Sequence, residues 1–302
     1  MVAICSDYIK IYWNFALRIG VPCVLIIVIF GSRGLSQTAL QQPVTRGSCD
    51  RKAGEVCVHC GVHALRMRWC PSWEYVMGSP ESESDRSEIE KQVKVRLRGF
   101  WVGETEVTQE QWEYVMSTRP WVQSAREIEL GGIPVGPRFP AHTVSFNDAV
   151  LFCKKLTDQE RSSGRLSREC EFSLPTAAQW EYACRASTTT TFSFGNDRSK
   201  LSEYASEREI LQRVGMLKPN SWGIFDMEGN LAEWCLDSYS FSEPIQGGVD
   251  PVFIDEGNKL HVQKGGDWLV GGNRCRCANR AYGGEDDRNF LTGFRVVLQQ
   301  AR

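Results

Sequence analysis

Helical periodicity runs through the middle of this 302-residue chain and then stops. "TQEQWEYVM" opens at Thr108 with Gln111 three residues on, a capping-box start for a helix. "SFNDAVLFCKKLTDQE" opens at Ser145 and puts Ala149, Phe152, Cys153 and Leu156 on one face. "LPTAAQWEYACRA" opens at Thr176 and turns Trp180, Ala183 and Cys184 inward. Ahead of these, "VKVRLRGFWV" alternates like a half-buried strand. From residue 187 to 302 only short strand-like runs remain, set among Gly, Asn and Asp loops, and no internal repeat is visible. That order predicts a mixed α+β domain with much irregular structure.

A chain that is 42% hydrophobic and 11% aromatic can bury a sizeable core. Ten Trp and 27 Gly suit a loop-rich fold pinned by aromatic anchors. The net charge of −2, without a clustered basic face, argues against nucleic acid as a partner. Twelve cysteines spread along the chain point to an oxidising compartment or to metal sites. The N-terminus favours the first. "IGVPCVLIIVIF", residues 19–30, follows Lys10 and Arg18 and is too short to span a bilayer, which takes about 20 residues. It fits the apolar core of a signal peptide. Extended back to Ile11, it would serve as an anchor that tethers the chain to a membrane. The expected organisation is a signal peptide or anchor over residues 1–40, a linker over 41–65 and one domain over 66–302. The expected location is extracytoplasmic, in the periplasm or cell envelope.

Few catalytic patterns are present. "CVHCGVH", residues 57–63, offers Cys57, His59, Cys60 and His63, with Cys70 beyond, as zinc ligands. No second C-x-x-C accompanies it, so a local disulfide or free thiols compete with zinc. The four histidines, at 59, 63, 142 and 261, build neither a hydrolase triad nor an H-E-x-x-H site. "GEDDR", residues 284–288, reads as a solvated loop.

Seven collinear segments carry a resemblance: "MGSPESESDR", "FWVGETEVTQEQW", "HTVSFNDAVLFCKKL", "FSLPTAAQWEYACRAS", "PNSWGIFDMEGNLAEWCLD", "KGGDWL" and "TGFRVV". Together they resemble the formylglycine-generating enzyme, or sulfatase-modifying factor, domain over roughly residues 66–298. The resemblance implies an α+β variant of the C-type lectin fold, rich in irregular loops. It also implies an oxidase that converts a sulfatase cysteine to formylglycine with copper held by two cysteines, a sensible pairing because soft thiolates select Cu(I).

This sequence departs from that pattern where the chemistry lies. Counting forward from Gly265-Gly266-Asp267, the first copper cysteine position holds Val270 and the second holds Cys275. Counting back from Gly293-Phe294-Arg295, Cys277 falls on a structural disulfide position, and neither copper cysteine remains. Asp267 replaces the serine of the family's active site, and Ala232 replaces the tryptophan of its "GNxWEW". Cys275 and Cys277, two apart on an expected strand, should share a face, and parallel Cβ vectors keep such thiols from bonding to each other. The resemblance implies a disulfide from Cys184 to Cys275 or Cys277. Buried free thiols and a redox or copper role are the other readings. The resemblance also implies structural calcium in "DMEGNLAEWCLD", held by the Asp226 and Glu233 carboxylates and the Gly229 and Leu231 carbonyls. A solvated turn before a short strand is the competing reading.

The expectation is therefore an exported, non-oxidase module, a binding or envelope-maturation accessory, taking a protein, small-molecule or glycan ligand in a lectin-like cleft. The alternative is a formylglycine-generating oxidase with Cys275 as its catalytic thiol. A third class is a ligand-binding domain diversified between residues 264 and 290.

Overall fold

A computed structural model describes residues 51–59, 64–122, 133–205, 210–242, 246–269 and 271–301. The expected signal or anchor, Cys60, His63 and Val270 lie outside the described residues, which leaves the zinc reading without its full ligand set. No helix among the described residues is long and apolar enough to cross a membrane.

The three capping signals produce three helices. Thr108 caps α1 (Gln109–Met116), Ser145 caps α2 (Phe146–Ser162) and Thr176 caps α3 (Ala177–Arg185). Each cap is reciprocal, because the residue three on, Gln111, Asp148 or Gln179, returns a bond to the cap backbone. The faces are those the periodicity predicts: Ala149, Phe152, Cys153 and Leu156 are buried on α2, and Trp180, Ala183 and Cys184 on α3.

Three sheets surround these helices. The largest is antiparallel, in the order β1 (Val56–His59), β2 (Leu65–Cys70), β5 (Phe100–Gly103), β12 (Val297–Gln300) and β6 (Cys170–Ser173). The second runs β10 (Ala281–Gly284), β9 (Leu260–Lys264), β7 (Ala232–Ser238) and β11 (Thr292–Gly293). The third joins β3 (Trp73–Met77), β4 (Val93–Leu97) and β8 (Gly248–Val249). One apolar core packs α1 and α2 against the first sheet, with Trp112 stacked on Phe152 at 5.6 Å. Another packs α3 with Trp180, Trp222 and Cys277.

Two expectations change here. The segment expected as a linker, residues 41–65, contributes β1, which pairs with β2 from Val56↔Arg68 to His59↔Leu65. The single alternating strand expected over "VKVRLRGFWV" is broken between β4 and β5, which belong to different sheets. Gly99 sits at the break. A Cβ there would lie 2.4 Å from the Trp69 ring, so the crossing needs glycine.

Candidate functional site

Ala232 and Glu233 are neighbours on β7, and a strand turns neighbouring side chains to opposite faces. Glu233 shares its face with its cross-strand partners Lys264 and Gly293. Ala232 shares the other with Thr292, and Gln263 is aligned with Ala281. The second sheet therefore has two chemistries.

The Glu233 face is a closed charge system. Arg295, fully buried, donates Nε to Glu233 Oε2 at 2.7 Å and Nη2 to Oε1 at 2.6 Å. Its remaining donors reach the carbonyls of Gly103, Phe225 and Asp226. Trp180 Nε1 also donates to Glu233, at 2.7 Å. Beside it, the buried Lys264 donates to Glu181 at 3.1 Å and lies over the Trp180 ring. Arg185 and the Gly78 amide complete the Glu181 shell. Burial works against the Glu181 carboxylate, but Lys264 and Arg185 outweigh it and hold Glu181 below the usual carboxylate range.

Close to Glu233 sit two more buried carboxylates, Glu106 and Asp226. Burial pushes Glu106 well above the usual range, and the charges of Asp226 and Glu233 push it further. Asp226 is also raised, by burial first, although the Gly215 amide donates to its Oδ2 at 2.7 Å. Glu106 accepts from Asn230 on one oxygen, and a hydrogen bond between its carboxyl and that of Asp226 partly offsets the rise in Asp226. Three buried carboxyl groups thus surround one guanidinium, two of them, Glu106 and Asp226, raised toward their neutral forms. The backbone turns sharply in the same loop, with positive φ at Asp226, Gly229 and Asn230. An oxygen-rich, turning loop suits calcium, which takes about six to eight oxygen ligands. Asp226, Glu233 and the carbonyls of Gly229 and Leu231 are the set the resemblance implies for the ion, and Glu233 would have to yield an oxygen that Arg295 and Trp180 hold.

The Ala232 face opens into a cleft of about 140 Å³. Ala232, Gln263, Asp267, Arg274, Asn279 and Asn289 are among its walls. Asp267, almost fully buried, accepts the Leu269 amide at 3.0 Å.

The cysteines lie elsewhere. The expected strand at Cys275 is a 3-10 turn, Gly272–Cys275, so the two thiols do not share a face. Cys275 enters a small core with Phe192, Leu201 and Ala205. Cys277 enters the α3 core, after its amide donates to Thr191 O. Between them Arg276 bonds Glu83, Glu90 and the Asp85 carbonyl, tying down the acidic loop. Cys184 and Cys277 face each other as free thiols with sulfurs 3.3 Å apart, and Glu228 Oε1 lies 3.9 Å from Cys184. Cys184, Glu228 and Cys277 form a buried trio of metal-type donors within 4.8 Å of one another. Glu228 also accepts the Ser193 amide, and burial pushes its carboxyl up to about 7. Burial, and after it the Glu228 charge, pushes the Cys275 thiol up to about 12. Cys275 packs among Phe192, Leu201 and Ala205, with no second cysteine among the described residues of that small core, so it lacks the paired thiolate of a family copper site.

Sequence reasoning found Asp226, Glu233, Asp267 and Ala232 because they sit in contiguous motifs. It missed Glu106, more than a hundred residues from Asp226, and used Arg295 only as a register mark. "GETEVT" carries Glu106 with no metal-ligand spacing that would have flagged it.

Comparison with known proteins agrees with this picture. Residues 53–300 match the sulfatase-modifying factor enzyme 1-like domain. The chain is 27% identical over 252 residues to a chaperone protein LppX of Paenibacillus barcinonensis, covering 67% of this chain and 81% of that protein. It is 28% identical over 180 residues to the formylglycine-generating enzyme of Bos taurus, covering 53% of this chain and 44% of the enzyme. Among solved structures, PvdO from Pseudomonas aeruginosa superposes with a TM-score of 0.68 at 26% identity, covering 82% of this chain and 99% of that one. Treponema denticola variable protein 1 gives a TM-score of 0.66 at 24% identity, covering 80% and 98%. The matched domain, the collinear motifs and the shared α+β architecture place this chain in the sulfatase-modifying factor, or formylglycine-generating enzyme, domain family.

Proposed function

We propose that this chain is an exported member of the family that binds a ligand in the Ala232 cleft and does not oxidise cysteine. One observation carries the reading: the cleft walls present Ala232, Asp267 and Arg274, and no cysteine is among the described residues that line it. Cys275 is held in a separate core, and Cys277 faces Cys184. A family oxidase needs two thiolates at one metal, and this arrangement supplies none to the cleft. The module acts as a binding or maturation accessory in the cell envelope, a role consistent with its likeness to a protein described as a chaperone. Structural calcium at Asp226, Gly229, Leu231 and Glu233 is proposed with it, and a Cys184–Cys277 disulfide belongs to the same reading, since an oxidising compartment suits a disulfide.

The test is direct. Full-length protein is incubated with Cu(I), oxygen and a sulfatase-type cysteine peptide, and aldehyde is trapped chemically. We expect no aldehyde above a Cys275→Ser, Cys277→Ser control. Copper-dependent aldehyde that the double substitution removes would establish the oxidase instead.

A further inference from the structure

The Ala232 cleft holds polar side chains that the fold itself does not use. The strand register places Ala232, Gln263, Ala281 and Thr292 on one face of the second sheet. Gln263 is 7% exposed and Thr292 is 2% exposed. Neither the Gln263 carboxamide nor the Thr292 hydroxyl has a hydrogen-bond partner among the described residues. Neither group is sealed from solvent, so both open to the cleft they line. A Cβ on Gly283 would lie 2.6 Å from Gln263 Nε2, so the amide reaches across β10. Asn279 lines the cleft from the loop after Cys277, and its amide also has no partner among the described residues. Asn289 enters from the loop before β11, where its Oδ1 accepts the Leu291 amide and its Nδ2 is left over. The buried charges nearby are already answered. Lys264 meets Glu181, and Asp267 accepts the Leu269 amide and has a further partner.

These groups restrict the ligand. A polar group that loses water without gaining a partner is costly, so a ligand that fills the cleft must meet each of them. All four are uncharged, and the amides and the hydroxyl can each donate and accept. A charge carried to the floor of the cleft would be desolvated with no free countercharge beside it. Ligand hydroxyls match these groups, because each hydroxyl also donates and accepts. The four side chains come from β9, β11 and two loops, so they meet a ligand from several sides. An extended peptide presents its amides along one line, whereas a polyhydroxylated ring presents hydroxyls around its rim. Ala232, Ala281 and Leu291 supply small apolar walls for the C–H faces of such a ring. We propose that the cleft binds an uncharged monosaccharide unit, free or at the end of a glycan. This rests on the binding-module reading and names the ligand class of that site.

The experiment titrates full-length protein by NMR with the methyl glycosides of glucose, galactose, mannose and N-acetylglucosamine, and with the uronic acids of the first three. At least one neutral glycoside should bind saturably and more tightly than any uronic acid. Gln263→Leu and Thr292→Val should each weaken that glycoside by about threefold to tenfold, the loss of one hydrogen bond. Neither should lower the melting point, because neither side chain loses a protein partner. Ala232→Trp should fill the cleft and block binding. An oligosaccharide ending in the bound unit separates the two sources: tighter binding identifies the end of a glycan, and equal binding a free sugar. Failure of every neutral glycoside to bind, tighter binding of a uronic acid, or undiminished binding in both Gln263→Leu and Thr292→Val overturns the ligand class. If a variant fails to fold, the comparison of neutral and charged sugars on the native chain decides alone. Failure here leaves the non-oxidase reading intact, since only the aldehyde assay bears on that.

Discussion

The two faces of the second sheet are built to different standards. On the Glu233 face nearly every charge has a partner: Arg295 spends its donors on Glu233 and three carbonyls, and Lys264 and Arg185 share Glu181. On the Ala232 face the walls are polar, the cavity is open and Arg274 is unpaired among the described residues. One strand serves both, because Ala232 and Glu233 are adjacent. The difference teaches where this chain is free to vary. The paired face links the first and second sheets through the Gly103 carbonyl and carries the fold. The cleft face leaves Arg274 exposed, and the resemblance implies that a family serine and a family tryptophan are replaced there, by Asp267 and Ala232.

The largest break should come from Arg295. Arg295→Met leaves Glu233 charged, fully buried and without its cation. Removing one partner of a buried ion pair costs about 3–5 kcal/mol. At roughly 2–4 °C for each kcal/mol, calorimetry should show a melting point lower by at least about 6 °C, or the variant should be recovered unfolded. A shift below about 2 °C would mean that this face is no more structural than the cleft.

The next effect is smaller and depends on pH. The segment through Ala141 and His142 packs behind β11, where a Cβ on Gly293 would lie 2.6 Å from the Ala141 carbonyl. His142 is buried beside Trp121, its Nδ1 meets Thr143 Oγ1 at 2.9 Å, and its Nε2 has no hydrogen-bond partner among the described residues. Burial lowers its pKa from 6.5 to about 4. The folded state therefore holds the neutral ring while the unfolded chain takes up a proton. The stability this supplies is complete above about pH 6.5 and is lost as pH falls toward 4, by about 3 kcal/mol in all. Urea titrations at pH 7 and pH 4.5 should show a steeper loss in the native chain than in His142→Gln. Parallel losses would show that His142 is solvated.

Chelation probes the metal loop on the same face. A ligand that binds only the folded state stabilises it by about 2.7 kcal/mol at a hundredfold excess over its Kd. Excess EDTA should therefore lower the melting point by several degrees in calcium-containing buffer, and Asp226→Asn with Glu233→Gln should remove the response. An unmoved curve would mean that Arg295 and protons alone balance Glu106, Asp226 and Glu233.

How much of this was legible in the sequence depended on range. The three helices were, because a capping box spans four residues and an amphipathic face repeats within one turn. The metal loop and the Gly265-Gly266-Asp267 corner were, because each is contiguous. The charge balance was not. Glu106, the Asp226–Glu233 loop and Arg295 come from three segments that only the assembled sheets bring together. The cleft walls at Gln263, Asn279 and Asn289 are ordinary amides with no spacing that marks them. The spacing of Cys275 and Cys277 suggests a strand pair, because alternation by two is a strand signal. The chain instead makes a 3-10 turn there, with Gly272 in a left-handed conformation at φ 77° and Arg276 drawn to Glu83 and Glu90. That long-range ion pair, invisible locally, separates the two thiols into different cores.

The smallest expected effect is on the cleft face, and it gives the comparison its sharpest test. Asp267→Asn keeps an oxygen that can accept the Leu269 amide, so the local turn survives. Arg274→Gln removes an exposed side chain with no ion-pair partner among the described residues. An exposed substitution such as Arg274→Gln falls within about 0.5 kcal/mol, roughly 1–2 °C here, and Asp267→Asn, though buried, should stay below about 2 kcal/mol because the turn bond is kept. The effects should also add to that of Arg295→Met within about 0.5 kcal/mol, because sites that share no partner behave independently. If Asp267→Asn instead costs more than about 2 kcal/mol, its carboxylate is holding the loop after β9 together. The two faces would then form one structural unit, and the replacement of the family serine would reflect folding rather than ligand choice.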